Sequence, residues 1–364
     1  MDTHSFPSRP DTLQRPTALR LGILGCGRVV ERFHVPALRR TTAWSVYAAS
    51  DPDPERRAWA QTALPGATVY RTAEDLLSDE HLDAALIASP APTQAALTIA
   101  CLQRGLHVLV EKPGGLDPGQ ASSMQRAAEQ AERLLWVGYN RKFKPAYQAL
   151  RVALREDEIR SIRSRLAYSL RAWDPISGLD PARLGDGLVL YDVAVHQLDL
   201  VPWLTGRPIQ AVRGESSAAE AGGRLAEFTL LLDGGVQAYC QAAHSQDHQE
   251  TLEIESGRGS WTAHPSGLLR GRRFGRGWMR TIAASQHWGH RKLMRLGLMA
   301  DPLATSYLRQ LEGFAEGIRD PRPRSADDLG WGPVPVHAAL EALSLGMRSP
   351  EEWIPVKTKG WAFR

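Results

Sequence analysis

Residues 20–30, Arg20-Leu-Gly-Ile-Leu-Gly25-Cys-Gly27-Arg-Val-Val30, constrain this chain more than any other stretch. Leu21, Ile23 and Leu24 read as a short buried strand, Gly25 and Gly27 break it, and Val29 to Arg40 reads as a helix. Strand, glycine turn and helix together make the front of a dinucleotide-binding unit. The first glycine permits the tight turn. The second lets backbone approach a pyrophosphate, whose charge suits the exposed N–H groups at a helix start. Val30 occupies the third position, where Gly or Ala is usual, and implies a slightly wider helix–strand contact. Alone, the pattern also fits an ordinary strand-to-helix turn.

A second strand-like run, Trp44 to Ala49, leads to Asp51, 21 residues past Val30. That is near the ~20-residue offset of the acid that binds the adenosine ribose hydroxyls. A carboxylate there favours NAD and repels a 2′-phosphate, while Arg56 and Arg57 keep NADP open. The other reading of Asp51-Pro-Asp53-Pro is a helix cap after a loop.

Strand and helix alternate over the first 140 residues. Helices are expected over Pro54–Ala63, from Thr72, over Gln94–Arg104 with Thr93 as cap, and over Asp117–Arg133. Strands are expected at Thr68–Tyr70, Asp83–Ser89, His107–Val110 and Leu134–Gly138. This rhythm predicts an α/β chain whose first domain, 19–140, is a doubly wound parallel sheet with ligand at the strands' carboxyl ends. After Arg141 the rhythm changes to longer strands, with Asp233-Gly234-Gly235 as a hairpin turn. Residues 141–364 therefore read as an α+β domain with a mostly antiparallel open sheet, completed by helices at Thr305–Ile318 and Pro335–Met347 and a strand at Trp353–Val356. Residues 1–18 are polar and proline-bearing and read as a disordered tail.

Cys26, Cys101 and Cys240 fit neither a disulfide framework nor a zinc site, which points to the cytoplasm. No apolar run reaches ~18 residues, so no spanning helix is expected. The net charge of +4 mildly favours anionic ligands and gives no reason to expect nucleic acid.

Lys112 stands at the end of a strand, before Pro113, where such sheets place reacting groups. Its ammonium could stabilise alkoxide character on a substrate oxygen; alternatively it is a surface lysine paired with Glu111. On the helix Leu188–Leu204, Asp192, His196 and Asp199 sit at i, i+4 and i+7 and share one face. His196 could accept a hydroxyl proton, with Asp192 orienting it or holding a substrate hydroxyl, or be a satisfied core histidine. Two ligands are too few for a metal, and His244, His248, His287 and His290 read as loop or helix-face histidines.

These residues make the resemblance specific. Gly25-Cys-Gly27-Arg28, Glu111-Lys112-Pro113, Gly138-Tyr-Asn140-Arg141 and the run from Gly187 through Asp192 and His196 to Asp199 resemble, in order and spacing, the Gfo/Idh/MocA family. The match covers residues 20–256 well and the remainder loosely. The resemblance implies a Rossmann domain, a second domain whose open sheet often mediates oligomerisation (here a homodimer or tetramer), and hydride transfer between nicotinamide and a sugar or polyol carbon. It implies Lys112, Asp192 and His196 as catalytic. It places the cofactor on Gly25, Gly27, Arg28, Val29, Asp51, Ser89, Pro90, Gln94, Glu111, Lys112 and Asn140, and the substrate on Lys112, Arg141, Asp192 and His196, with no metal. Gln94 stands where many members carry a histidine, so a proton role there is not expected. Two other activities occur in relatives: redox-neutral glycoside cleavage with bound NAD, and non-catalytic sensing.

No acidic residue occurs between Glu255 and Asp301, where nine Arg and Lys residues sit among Trp278, Trp288 and other apolar residues. Residues 257–300 read as a basic insertion: a lid for an anionic sugar substrate, a membrane-facing patch, or a helical contact between subunits.

Overall fold

A computed structural model describes residues 18–78, 81–155, 157–169, 187–218, 224–264, 269–273, 279–282, 301–320 and 332–358. The expected tail lies outside them, apart from Ala18. Six parallel strands form the first sheet: β1 (Leu19–Leu24), β2 (Trp44–Ser50), β3 (Thr68–Tyr70), β4 (Ala84–Ile87), β5 (His107–Val110) and β6 (Leu135–Val137), in the order β3-β2-β1-β4-β5-β6. The order reverses between β1 and β4, which opens a crevice at their carboxyl ends. Every residue of β4 is buried, because helices cover both faces of the sheet and leave no side for water.

A π-helical turn, Val30–His34, runs into α1 (Val35–Leu38). Val30 is fully buried at the start of this widened turn. Then come α2 (Pro54–Ala63), α3 (Ala73–Leu77), α4 (Ala91–Gln103) and α5 (Pro118–Ala131). Asp53, Thr72 and Asp117 each cap a helix, accepting from Glu55 N–H at 2.8 Å, Asp75 N–H at 3.1 Å and Gln120 N–H at 2.8 Å. The expected cap at Thr93 is corrected: α4 starts at Ala91, and the Thr93 hydroxyl bonds back to Ser89 Oγ and the Pro90 carbonyl, both at 2.9 Å. Pro92 suits the first helical turn, where its missing N–H costs nothing.

A 3₁₀ turn, Asn140–Phe143, leads to α6 (Pro145–Leu154) and the second sheet. Its strands are β7 (Ile159–Ser169), β8 (Ile209–Ala218), β9 (Arg224–Leu232), β10 (Gln237–Ser245), β11 (Gln249–Ser256), β12 (Gly259–Ala263), β13 (Leu269–Arg273), β14 (Met279–Ile282) and β15 (Ile354–Pro355). The order is β14-β13-β12-β11-β7-β10-β9-β8-β15, and of these pairs β7–β10 is parallel and the rest antiparallel. Gly234 and Gly235, at φ 78° and 79°, turn β9 into β10, a conformation L side chains avoid. On β10 burial alternates, and Ala238, Cys240, Ala242 and His244 face inward. A second π turn, Leu190–Ala194, continues into α7 (Val195–Thr205), which is buried from Val195 through Leu204.

Within the basic insertion the described residues include strands β12 to β14, which extend the sheet; Trp278, Trp288 and residues 274–278 and 283–300, and with them the expected helical contact, lie outside the described residues. One expectation is corrected here. The helix α8 (Pro302–Arg319), expected to complete the second domain, packs on the first sheet. Trp44 Nε1 donates to the Leu311 carbonyl at 2.8 Å, and Phe314 sits 5.6 Å, centroid to centroid, from both Trp44 and Trp136. The last helix, α9 (Pro333–Gly346), lies against α5 and β8.

Candidate functional site

The glycine turn after β1 is built for close approach. Gly25 has φ 95°, and a Cβ there would stand 2.7 Å from the Ala88 carbonyl oxygen. A Cβ on Gly27 would meet nothing within 4 Å, so the turn is open on that side. Arg28 and Val29 follow, half-buried, at the helix start. Asp51 closes the turn from β2: its Oδ2 accepts from Cys26 N–H at 2.7 Å and its Oδ1 from Asp53 N–H at 2.9 Å. Cys26 Sγ lies beside it, and burial, then the Asp51 charge, pushes this thiol up to about 12, so it stays protonated. Arg56 pairs with Glu31 at 2.9 Å, and Arg57 donates to the Asp51 and Pro52 carbonyls, so neither cation is free-standing beside Asp51.

Below this turn opens a cavity of about 430 Å³ between the two sheets. Of the expected residues, Val29, Ser89, Gln94, Glu111, Lys112, Asn140, Arg141 and Asp192 line it. Gly25, Gly27, Arg28, Asp51, Pro90 and His196 are not in its wall. Gln94 is buried and holds backbone: its Oε1 accepts from Gly114 N–H at 3.0 Å, and its Nε2 donates to the Ser89 and Lys112 carbonyls at 3.3 and 3.4 Å. An amide has both a donor and an acceptor for this task. Glu111 is not Lys112's surface partner: it is buried, and its Oε1 accepts from His34 Nε2 at 2.7 Å.

Lys112 Nζ lies 2.5 Å from Asp192 Oδ1. Burial alone would lower this ammonium's pKa, but Asp192, with smaller help from Tyr168 and Glu111, raises it above its ordinary value. Burial would raise Asp192, and the Lys112 charge and the hydrogen bonds from His244 and Lys112 hold it below the usual carboxylate range. Both groups are therefore charged at neutral pH. The expected Asp192–His196 contact is corrected: the imidazole bonded to Asp192 is His244, whose Nε2 donates to Oδ2 at 3.0 Å. Lys112, just past β5, and His244, near the end of β10, face the carboxylate and each takes one of its oxygens. His244, expected as a loop or helix-face residue, is instead a buried strand residue. His196 is buried with Nδ1 unbonded, and Tyr168 packs edge-on against its ring at 6.1 Å. Burial, then the Arg141 and Lys112 charges, keeps His196 neutral well below its ordinary pKa.

The far wall carries groups that sequence spacing did not reveal. Glu250, at the start of β11, accepts from Lys144 Nζ at 2.8 and 2.7 Å, from the Tyr147 hydroxyl at 2.8 Å, and pairs with Arg141. Burial would raise Glu250, but Arg141 and Lys144 hold it well below the carboxylate range. Arg141 also donates to the Tyr168 hydroxyl at 2.9 Å, and Tyr168 stacks on His248 at 5.9 Å. Asn140 Nδ2 donates to Ser306 Oγ on α8 at 3.3 Å. Asp199, on the polar face of α7, is taken by Lys142 at 2.9 Å in a buried pair away from the cavity wall. Period-2 burial marks His244 and Glu250 as inward-facing, though not what they face. Among the described residues no group of three or more His, Cys, Asp or Glu could hold a metal, and no helix is long and apolar enough to cross a membrane.

Comparison with known proteins bears on the same regions. Residues 19–139 match the family profile described as the GFO_IDH_MocA oxidoreductase family, NAD-binding Rossmann fold, and residues 147–262 match the GFO/IDH/MocA C-terminal domain. The rhizopine catabolism protein MocA of Rhizobium meliloti is 32% identical over 193 residues, 52% of this chain and 58% of that protein. Myo-inositol 2-dehydrogenase of Thermotoga maritima is 28% identical over 200 residues, 55% of this chain and 58% of that protein. The chain thus spans somewhat over half the length of these curated relatives. The crystal structure of an oxidoreductase from Agrobacterium radiobacter, in complex with NAD+, L-tartaric acid and magnesium, superimposes with a TM-score of 0.76 over 93% of this chain and 99% of that one, at 18% identity.

Proposed function

Because the chain belongs to the Gfo/Idh/MocA oxidoreductase family, we propose that it is an NAD(H)-dependent dehydrogenase acting on a secondary alcohol of a sugar, polyol or sugar derivative. The observation that carries this reading is the Lys112–Asp192 pair, 2.5 Å apart in the wall of the cavity below the glycine turn. The chain's residues fit a dinucleotide: Gly27 leaves open space over the helix start, and Asp51 stands at the end of β2. Nicotinamide, when bound, gives or takes the hydride.

The chain's own side chains supply the rest. The Lys112 ammonium donates a hydrogen bond to the reacting oxygen and stabilises its negative character. Asp192 keeps Lys112 charged and aimed. His196, neutral at working pH, is the proton acceptor. Arg141, fixed by Glu250 and Tyr168, holds a substrate hydroxyl or acid group. The three free cysteines are buried and support a cytoplasmic setting. The outer face of the second sheet, with Arg163 and Arg165 beside Glu227 and Glu253, is the surface we assign to contact between copies. The test is NADH formation with myo-inositol and a panel of related polyols and aldoses. NAD-dependent turnover that is lost in Lys112→Ala supports the reading, and a chain that binds no NAD removes it.

A further inference from the structure

A carboxylate that aims a catalytic ammonium must itself be held. Asp192 is 2% exposed, and its two oxygens are engaged on opposite sides: Oδ1 by Lys112 and Oδ2 by His244. We propose that His244 is the positioning residue of this site, clamping Asp192 so that its other oxygen stays on Lys112. The kinetic consequence rests on the hydride-transfer reading above; the contact itself does not.

Three observations converge. His244 is the last inward position of β10, after Ala238, Cys240 and Ala242, so a polar ring ends an otherwise apolar row. It stands in register beside Tyr168 of β7, across the parallel pair near the centre of the sheet, one residue past the last β10–β9 pair. Facing it is the π turn that carries Asp192. Such turns widen the helix by one residue and recur at functional sites. A buried polar side chain in that row is costly unless bonded, and His244 Nε2 is bonded to Asp192.

The clamp also restrains motion. A carboxylate bonded only to the flexible end of a lysine can rotate and carry the ammonium with it. A second donor from a central strand removes that freedom, which is the usual work of groups behind a reacting side chain. His244 Nε2 is taken up by Asp192 Oδ2, so it acts through Asp192 and not on substrate.

The test combines ring-¹⁵N-histidine NMR, which needs no substrate, with kinetics on the full chain. The His244 Nε2–H resonance, identified by its loss in His244→Gln, is expected to be protected and to shift in Asp192→Asn. Those of His34 and His337, which donate to Glu111 and to the Pro113 carbonyl, are expected to stay in place. With NAD and myo-inositol, His244→Leu is expected to lower kcat about 10- to 100-fold and leave the KM for NAD within about twofold. His244→Gln, which keeps an N–H donor, is expected to recover most of that loss. A His244 resonance indifferent to Asp192→Asn overturns the proposal, as does wild-type turnover in His244→Leu. If no polyol is oxidised, the NMR decides the clamp alone and the dehydrogenase reading fails separately.

Discussion

His34 Nε2 lies 2.7 Å from Glu111 Oε1, and both residues are buried. One belongs to the helix that follows the glycine turn, the other directly precedes Lys112. This bond ties the turn proposed to hold the dinucleotide to the strand end proposed to do chemistry. Tyr307 of α8 packs edge-on to the same imidazole at 5.0 Å and stacks on Phe33 at 4.9 Å.

Removing the acceptor leaves a buried imidazole unsatisfied, since His34 Nδ1 also lacks a partner. Glu111→Leu should therefore cost about 2–3 kcal/mol of stability, read from urea unfolding. Dinucleotide affinity by calorimetry should fall with it. Unchanged values of both would mean that the two segments hold their places independently.

Lys112→Ala should lower kcat about 10²- to 10³-fold while NAD affinity stays within a few-fold. Steady-state kinetics and calorimetry check the two halves. Loss of NAD binding in this variant would move Lys112 from chemistry to cofactor binding.

Glu250 is held well below the carboxylate range by Arg141 and Lys144. A carboxyl depressed by folding stabilises the protein above its unfolded pKa, and that stabilisation is lost as pH falls through the folded value. Glu250→Gln leaves two buried cations uncompensated and should destabilise the protein by about 3 kcal/mol at neutral pH. The gap to wild type should narrow below about pH 4. Urea midpoints between pH 3 and 7, on the order of five points, would show it. A gap that stays constant in acid would contradict the assignment.

His107 Nδ1 accepts from Leu134 N–H at 3.0 Å, and burial, then Arg133, lowers its pKa to about 4. The unfolded chain binds this proton more readily. Stability is thus full above about pH 6.5 and falls as pH drops toward the folded value. His107→Asn keeps an acceptor that does not titrate, so its stability should fall less steeply between pH 6.5 and 4. A parallel loss in both proteins would place the acid sensitivity elsewhere.

The first sheet was legible because each of its strands is a short apolar run punctuated by glycine or a capping residue, as at Gly25, Thr72 and Asp117. The strand ends at Asp51 and Lys112 were legible for the same reason. The far wall was not. Glu250 and His244 lie more than 100 residues from Arg141 and roughly 50 from Asp192, and alternation shows only that they turn inward. The strand β13 escaped because Arg270, Gly271, Arg272 and Arg273 give no apolar alternation; Gly271 is there because a Cβ would strike the Trp261 ring at 2.2 Å. The π turns leave no mark in residue spacing, so the helix carrying Asp192 read as regular.

The bond from Trp44 to Leu311 joins residues 267 apart. During synthesis, the strand carrying Trp44 emerges long before its partner exists. Trp44 and Trp136 cannot meet Phe314 until the chain has been made nearly to its last helix. A nascent fragment ending at residue 140 would hold the six strands but leave this aromatic seam open to water. Excising the nucleotide-binding unit as a portable module would therefore fail unless α8 were grafted back onto it.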